Sequence, residues 1–271
     1  MLIVPRLRRF PMPALAKSNP RSRAPKARMS HAEAIAALEA AGTEQNRKVY
    51  RRHGAPDPLY GVSFAHLKAL LKKIGVDHEL ACSLWQTGNY DARNLAMKIA
   101  DPKQLSRADL DLWVRGSAAR MCSGYVPALA CESGHGPACA QAWLASGETG
   151  LRSAGWTTVG TLAMHDLEMA DDWFGERLRE IESRVHTAHN DERDPMIRAL
   201  IGIGCRNPAL REAALAAARR IGKVDVDYGE TGCKLPDAAG SIAKAWEHSL
   251  AKGYTSPAEH ERAREPMRLR C

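Results

Sequence analysis

Between Asp194 and Asp237 the chain reads DPMIRALIGIGCRNPALREAALAAARRIGKVDVDYGETGCKLPD. Two segments of helical apolar period, Met196 to Cys205 and Ala209 to Ile221, are separated only by Arg206-Asn207-Pro208. Asn207 can cap the second segment, and Pro208 can fill its first helical position, where a missing N–H costs nothing. So short a connection folds the two helices back on each other. Such a hairpin cannot bury its apolar face alone, so similar units must stack on either side of it.

The rest of the chain repeats this pattern. Ser30-x-x-Glu33 is a capping box opening a helix that ends near Gly42. A short basic helix is expected within Arg47 to Tyr60, and Ser63 caps Phe64 to Ile74, which Gly75 stops. Asp77 starts a helix through Trp85, Tyr90 to Ala100 follows, and Ser106-x-x-Asp109 starts another through Trp113. Ala118 to Leu129, Ala138 to Ala145, Leu151 to Ala163 and Met169 to His186 continue the series, with a glycine-rich turn at Glu132 to Pro137. Ala238 to Leu250 and a short helix capped by Ser256-Pro257-Ala258-Glu259 close it. Six Tyr and three Phe leave little material for strands. No apolar run approaches the ~20 residues that cross a membrane. The pattern predicts an all-α fold, an α-solenoid of antiparallel helix pairs whose concave surface suits a long partner.

The net charge of +8 is unevenly placed. Residues 1 to 31 hold eight Lys and Arg and no acid, and beyond them 31 basic residues face 31 acidic ones. A basic surface on the body must therefore come from sorting charges onto one side. Residues 1–29 read as a disordered, proline-rich leader. It is a transit peptide, a phosphate-binding arm, or a segment preceding a true start at Met29. Residues 30–250 form one domain, and 251–271 a short helix and basic tail. Seven scattered cysteines, an odd number, fit a reducing cytoplasm better than a disulfide framework.

Four ordered segments carry a family resemblance: YGVSFAHLKALLKKIG at 60–75, LWQTGNYDARNLAMKIAD at 84–101, RSAGWTTVGTLAM at 152–164, and the stretch from Arg198 to Asp237. Together they resemble the AlkD-type DNA alkylation repair family, related to HEAT-like repeat DNA glycosylases. The resemblance implies HEAT-like helix pairs holding duplex DNA, alkylated duplex included, in a basic concave groove, with no cofactor, metal or membrane, as a monomer. Family glycosylases hydrolyse the N-glycosidic bond of N3- or N7-alkylated purines, where a carboxylate beside the sugar stabilises the developing positive charge.

The family's Trp and its carboxylate four residues later align with Ala119 and Ser123, and a second groove Trp aligns near Gly202. Serine carries no charge, so the inherited reaction is weakened at Ser123; Asp111, Glu132 and Glu148 are the acids that recruitment would draw on. Arg93, Arg152, Arg198, Arg206 and Lys234 are the expected DNA contacts, because guanidinium and ammonium groups neutralise phosphates. Each has a competing role as a helix-end or surface charge. The acids Asp225, Asp227, Glu230 and Asp237 lack EF-hand spacing and read as caps and turn residues rather than cation ligands. Cys131, His135 and Cys139, with Cys122 upstream, miss zinc-knuckle spacing and read as packed thiols. Three functions stand: an alkylpurine glycosylase, a noncatalytic DNA-binding relative, and a protein-interaction scaffold.

Overall fold

The computed structural model describes residues 28–117 and 124–269. Fourteen α-helices and two 3-10 turns fill these residues, with one isolated antiparallel bridge, Gly42 to Val62. The helices are α1 (His31–Ala41), α2 (Glu44–Arg52), α3 (Phe64–Ile74), α4 (His78–Gln86), α5 (Tyr90–Ile99), α6 (Arg107–Arg115) and α7 (Tyr125–Glu132). They continue as α8 (Gly136–Leu144), α9 (Thr149–His165), α10 (Asp171–Arg184), α11 (Asn190–Gly204), α12 (Pro208–Ile221), α13 (Ala238–Ala251) and α14 (Pro257–Arg262). The architecture is the expected solenoid: α4 packs on α5, α6 on α7, α8 on α9, α10 on α11 and α12 on α13.

Side-chain caps set most boundaries. Ser30 accepts the Glu33 amide while Glu33 bonds back to the Ser30 amide. Ser63, Asp77 and Asn207 accept the third amide of their helices. Three expectations need correction. Gly136 and Pro137 do not end in a turn but open α8, because proline is tolerated in a first helical turn. Glu259 caps Thr255 at 2.6 Å rather than closing a box on Ser256.

The third correction is that α11 begins at Asn190, before Pro195, which lies inside it. A proline there frees the carbonyl four residues back, and the hydroxyl of Ser153 on α9 donates to that Asp191 carbonyl at 2.9 Å. The interruption therefore stitches two neighbouring helices together.

The stack has two unequal layers. Each odd-numbered helix from α3 to α13 packs on the next odd one, whereas among the even ones only α10 and α12 approach as closely. The tightest crossing is α9 on α11. A Cβ added at Gly202 would lie 2.9 Å from the Gly160 carbonyl oxygen and 3.0 Å from its Cα. Backbones thus meet directly in the odd layer. The odd layer is thus the more closely packed of the two.

The chain after α13 returns across the carboxyl ends of these odd helices. The Ala258 amide donates to Cys205 O at 3.1 Å, and Arg262 Nη1 to Met164 O at 3.0 Å. Arg268 Nη1 donates to Lys98 O at 2.6 Å while its Nε meets Glu132 at 2.9 Å. These donors satisfy carbonyls that a helix end leaves without partners, and the arginines complement its negative pole.

Candidate nucleic-acid interface

One edge of the odd layer is closed by that returning strap. The opposite edge carries the amino ends of α9, α11 and α13, and here the first turns of α9 and α11 are charged. Arg152 on α9 reaches Glu192 on α11 through Nε at 3.0 Å and Nη2 at 2.7 Å, and donates as well to Ser146 O and Thr149 Oγ1. Glu192 is 2% exposed, so its charge is held by this pair and by its place in the first turn of a helix. The same carboxylate raises the Arg152 pKa above its usual value.

Below this pair, α9 presents Ser153, Thr157, Gly160 and Thr161 as a partly exposed stripe of small residues. The threonine hydroxyls donate back to carbonyls four residues earlier, Thr157 to Ser153 O and Thr161 to Thr157 O, both at 3.0 Å. Their lone pairs stay open, but they are not free donors for phosphate. At Gly160 the stripe abuts α11, where an added Cβ would lie 3.2 Å from the Ala199 Cα, so these small residues serve the α9–α11 contact. Beside it on α11, Arg198 is exposed and pairs with Asp194 one turn earlier at 3.0 Å.

The five basic residues named from the sequence fall into two groups. Arg93 is half-buried: it donates to Trp85 O and Gly116 O and lies 4.8 Å from the Trp85 ring centroid. Burial pushes its guanidinium below the usual value. Arg206, 8% exposed, meets Asp171, the carbonyls of Ala163, Asp166 and Met169, and the face of Phe174. With Arg152, these two hold helix ends together, and a phosphate would have to displace protein partners to reach them. Arg198 and Lys234 are exposed. Arg198 gives up only a solvated intrahelical pair, and Lys234 has no ion pair among the described residues. Those two remain accessible to solvent.

The aligned positions Ala119 and Ser123 lie outside the described residues, as does Cys122. The acids considered for recruitment are all engaged: Asp111 accepts Trp143 Nε1 at 2.5 Å, Glu132 meets Arg268, and Glu148 chelates Arg115 at 2.9–3.2 Å. Trp85, Trp113, Trp143, Trp156 and Trp246 are each at most 5% exposed and belong to the core. Among the described residues no three His, Cys, Asp or Glu converge on a metal position. Burial pushes the Cys139 thiol up to about 11 and the Cys205 thiol to about 12, which keeps both neutral. In the loop after α12, Asp237 caps α13 through the Gly240 amide, Asp227 accepts the Gly229 amide, and Asp225 pairs with Lys223. No described helix is long and apolar enough to cross a membrane.

Three buried charged groups that hold the solenoid together carry no sequence signal. Glu192 looks like any first-turn acid, Lys98 like a solvated charge, and Asp91 like a helix-start residue. In the fold Lys98 is fully buried, donating to Arg268 O at 2.8 Å with its ammonium 4.2 Å from the Tyr125 ring centroid. Asp91, also fully buried, accepts the amides of Tyr60, Gly61 and Val62 at 2.7–2.9 Å and fixes the loop before α3.

Comparison with known proteins agrees with this fold. A solved structure 31% identical in sequence superposes with a TM-score of 0.74, covering 84% of this chain and 96% of the other. It represents a new family of proteins related to the HEAT-like repeat DNA glycosylases with affinity for branched DNA structures. Uncharacterized proteins of Listeria monocytogenes and Listeria innocua are 28% and 27% identical over 215 residues, 77% of this chain and 93% of theirs. The family model described as DNA alkylation repair enzyme matches residues 34–239, and the chain belongs to that family.

Proposed function

We propose that this protein binds DNA at branches or similar departures from linear duplex, along the face of α9, α11 and α13, without cleaving the N-glycosidic bond. The observation that carries the reading is the likeness, over most of both chains, to a structure whose family has affinity for branched DNA. The exposure of Arg198 and Lys234, both open to a phosphate, supports it. Arg93, Arg152 and Arg206 are committed to holding helix ends together. Against excision, the sequence has Ala119 and Ser123 where the family's groove Trp and carboxylate align, and Asp111, Glu132 and Glu148 are engaged elsewhere.

The test compares a four-way junction with a linear duplex of the same sequence by fluorescence anisotropy at several salt concentrations. The junction is expected to bind more tightly, with log affinity falling linearly as log salt rises. Equal, salt-insensitive binding or none would sink the reading. N7-methylated duplex held with excess protein should release no free base; release would restore the glycosylase reading.

A further inference from the structure

A cleft of about 610 Å³ opens between the last turn of α12, the loop from Gly222 to Asp237, and the first turn of α13. Its volume is within the ~300–1,000 Å³ usual for sites that enclose a small ligand or one residue of a polymer. The floor is apolar: Ile197 and Val224 are buried there, with Leu235 partly so. Tyr228 contributes a partly exposed aromatic wall, and Arg219 and Lys234 stand exposed on the lip. Among the described residues neither cation has an ion pair, whereas the third cation of the cleft, Lys223, is matched to Asp225 at 3.0 Å.

The loop is anchored rather than adaptable. Asn190 exchanges two hydrogen bonds with Asp227, both 2.8 Å, and Arg193 Nη1 donates to Asp225 O at 2.9 Å. Both anchors come from the first two turns of α11, so the cleft is fixed to the same edge of the odd layer as the Arg152–Glu192 pair.

An apolar floor, an aromatic wall and two uncommitted cations at the mouth match one chemistry: a flat base inside and phosphates outside. Stacking on an aromatic ring is sequence-tolerant because every base has a π-face, and it is available only where the base is unpaired. A continuous duplex would use the lip and leave the cleft empty. We infer that this cleft takes an unpaired nucleotide of a DNA strand, its base against Tyr228 and its phosphates between Arg219 and Lys234. The inference rests on the DNA-binding reading above and adds to it a reason for preferring those branches at which a strand carries unpaired residues.

Cys233 lines the same cleft and is exposed, which makes it a reporter. The full chain is treated with a maleimide, with and without a short 5′-phosphorylated oligothymidylate, and alkylation is read at each cysteine by peptide mapping. The oligonucleotide should slow Cys233 several-fold and saturably while leaving Cys82, on α4, unchanged. Arg219→Gln with Lys234→Gln should abolish that protection while shifting thermal unfolding little, because both side chains are exposed and neither has an ion pair among the described residues. Unchanged Cys233 labelling, equal protection in the double variant, or equal protection by inorganic phosphate would each overturn the assignment. Junction binding, measured in parallel, keeps the two readings apart. If the wild type binds junctions but the oligonucleotide gives no protection, the cleft assignment fails and the DNA reading stands; if the oligonucleotide protects but no junction binds, the reverse holds.

Discussion

Arg152 and Glu192 show how one tertiary contact redirects a residue. Alone, Arg152 is a basic side chain in the first turn of a helix; against Glu192, itself nearly sealed from water, it becomes the more exposed half of a partly buried ion pair. Removing one member of such a pair leaves the other charge desolvated, which typically costs about 3–5 kcal/mol, whereas replacing both with apolar groups is often neutral. Arg152→Met and Glu192→Met should each lower stability by about 3 kcal/mol, and the double variant by clearly less than their sum. Urea denaturation of the four proteins checks this; additive losses would mean that the two charges do not depend on each other. Glu192→Gln should also loosen Arg152 and raise affinity for linear duplex, shown by a steeper salt slope.

Helices were largely legible in the sequence because their signals are local. The Ser30–Glu33 box, the Ser63 cap before α3 and the Asn207-Pro208 start of α12 all lie within four residues of what they determine. The start of α11 was not legible, since the carbonyl freed by Pro195 finds its donor 38 residues away on α9. For the same reason the uses of Arg206 and Lys98 could not be read locally: their partners belong to other helices. The α9–α11 crossing gives the sharpest test at this scale. Gly202→Ala would press a methyl group against the backbone of Gly160 and should cost about 1–3 kcal/mol. Gly232→Ala, where an added Cβ meets nothing within 4 Å, is its control in the same denaturant titration.

A pH effect belongs to α14. His260 stacks on Tyr254 at 4.5 Å and faces His248 on α13 at 5.4 Å. Burial lowers its pKa, with Lys252, His248 and Arg264 adding to the shift and Glu261 opposing it. The unfolded chain therefore binds the proton more readily, so stability from this group is full above about pH 6.5 and falls as pH drops toward the lower folded value. Amide exchange in residues 256–262, taken relative to the intrinsic rate at each pH, should accelerate between pH 7 and pH 5, and His260→Gln should flatten the change. An equal acceleration in that variant would assign it elsewhere.

At the scale of the whole molecule, the two edges of the odd layer are built for different ends. The amino edge holds the α9–α11 ion pair and the loop cleft, while the carboxyl edge is bound over by residues 252–269, which donate to the ends of four odd helices. A stack whose units touch only their neighbours is otherwise free to flex along its length. A strap joining α5, α7, α9 and α11 converts nearest-neighbour contacts into a long-range one. Truncation after Ala251 removes hydrogen bonds from charged donors, worth roughly 1.5–3 kcal/mol each, and leaves the Lys98 ammonium buried without its carbonyl acceptor. The truncated chain should unfold at a lower temperature and, while folded, show a larger radius of gyration by small-angle scattering. Because the strap does not supply the exposed cations of the amino edge, junction binding below the unfolding temperature should weaken through lost curvature rather than vanish. Restoring Lys98→Met in the truncated chain should recover part of the stability by removing the stranded charge, but none of the compactness. If truncation leaves both unfolding and dimensions unchanged, the curvature is set within the helix pairs and the strap is a passenger.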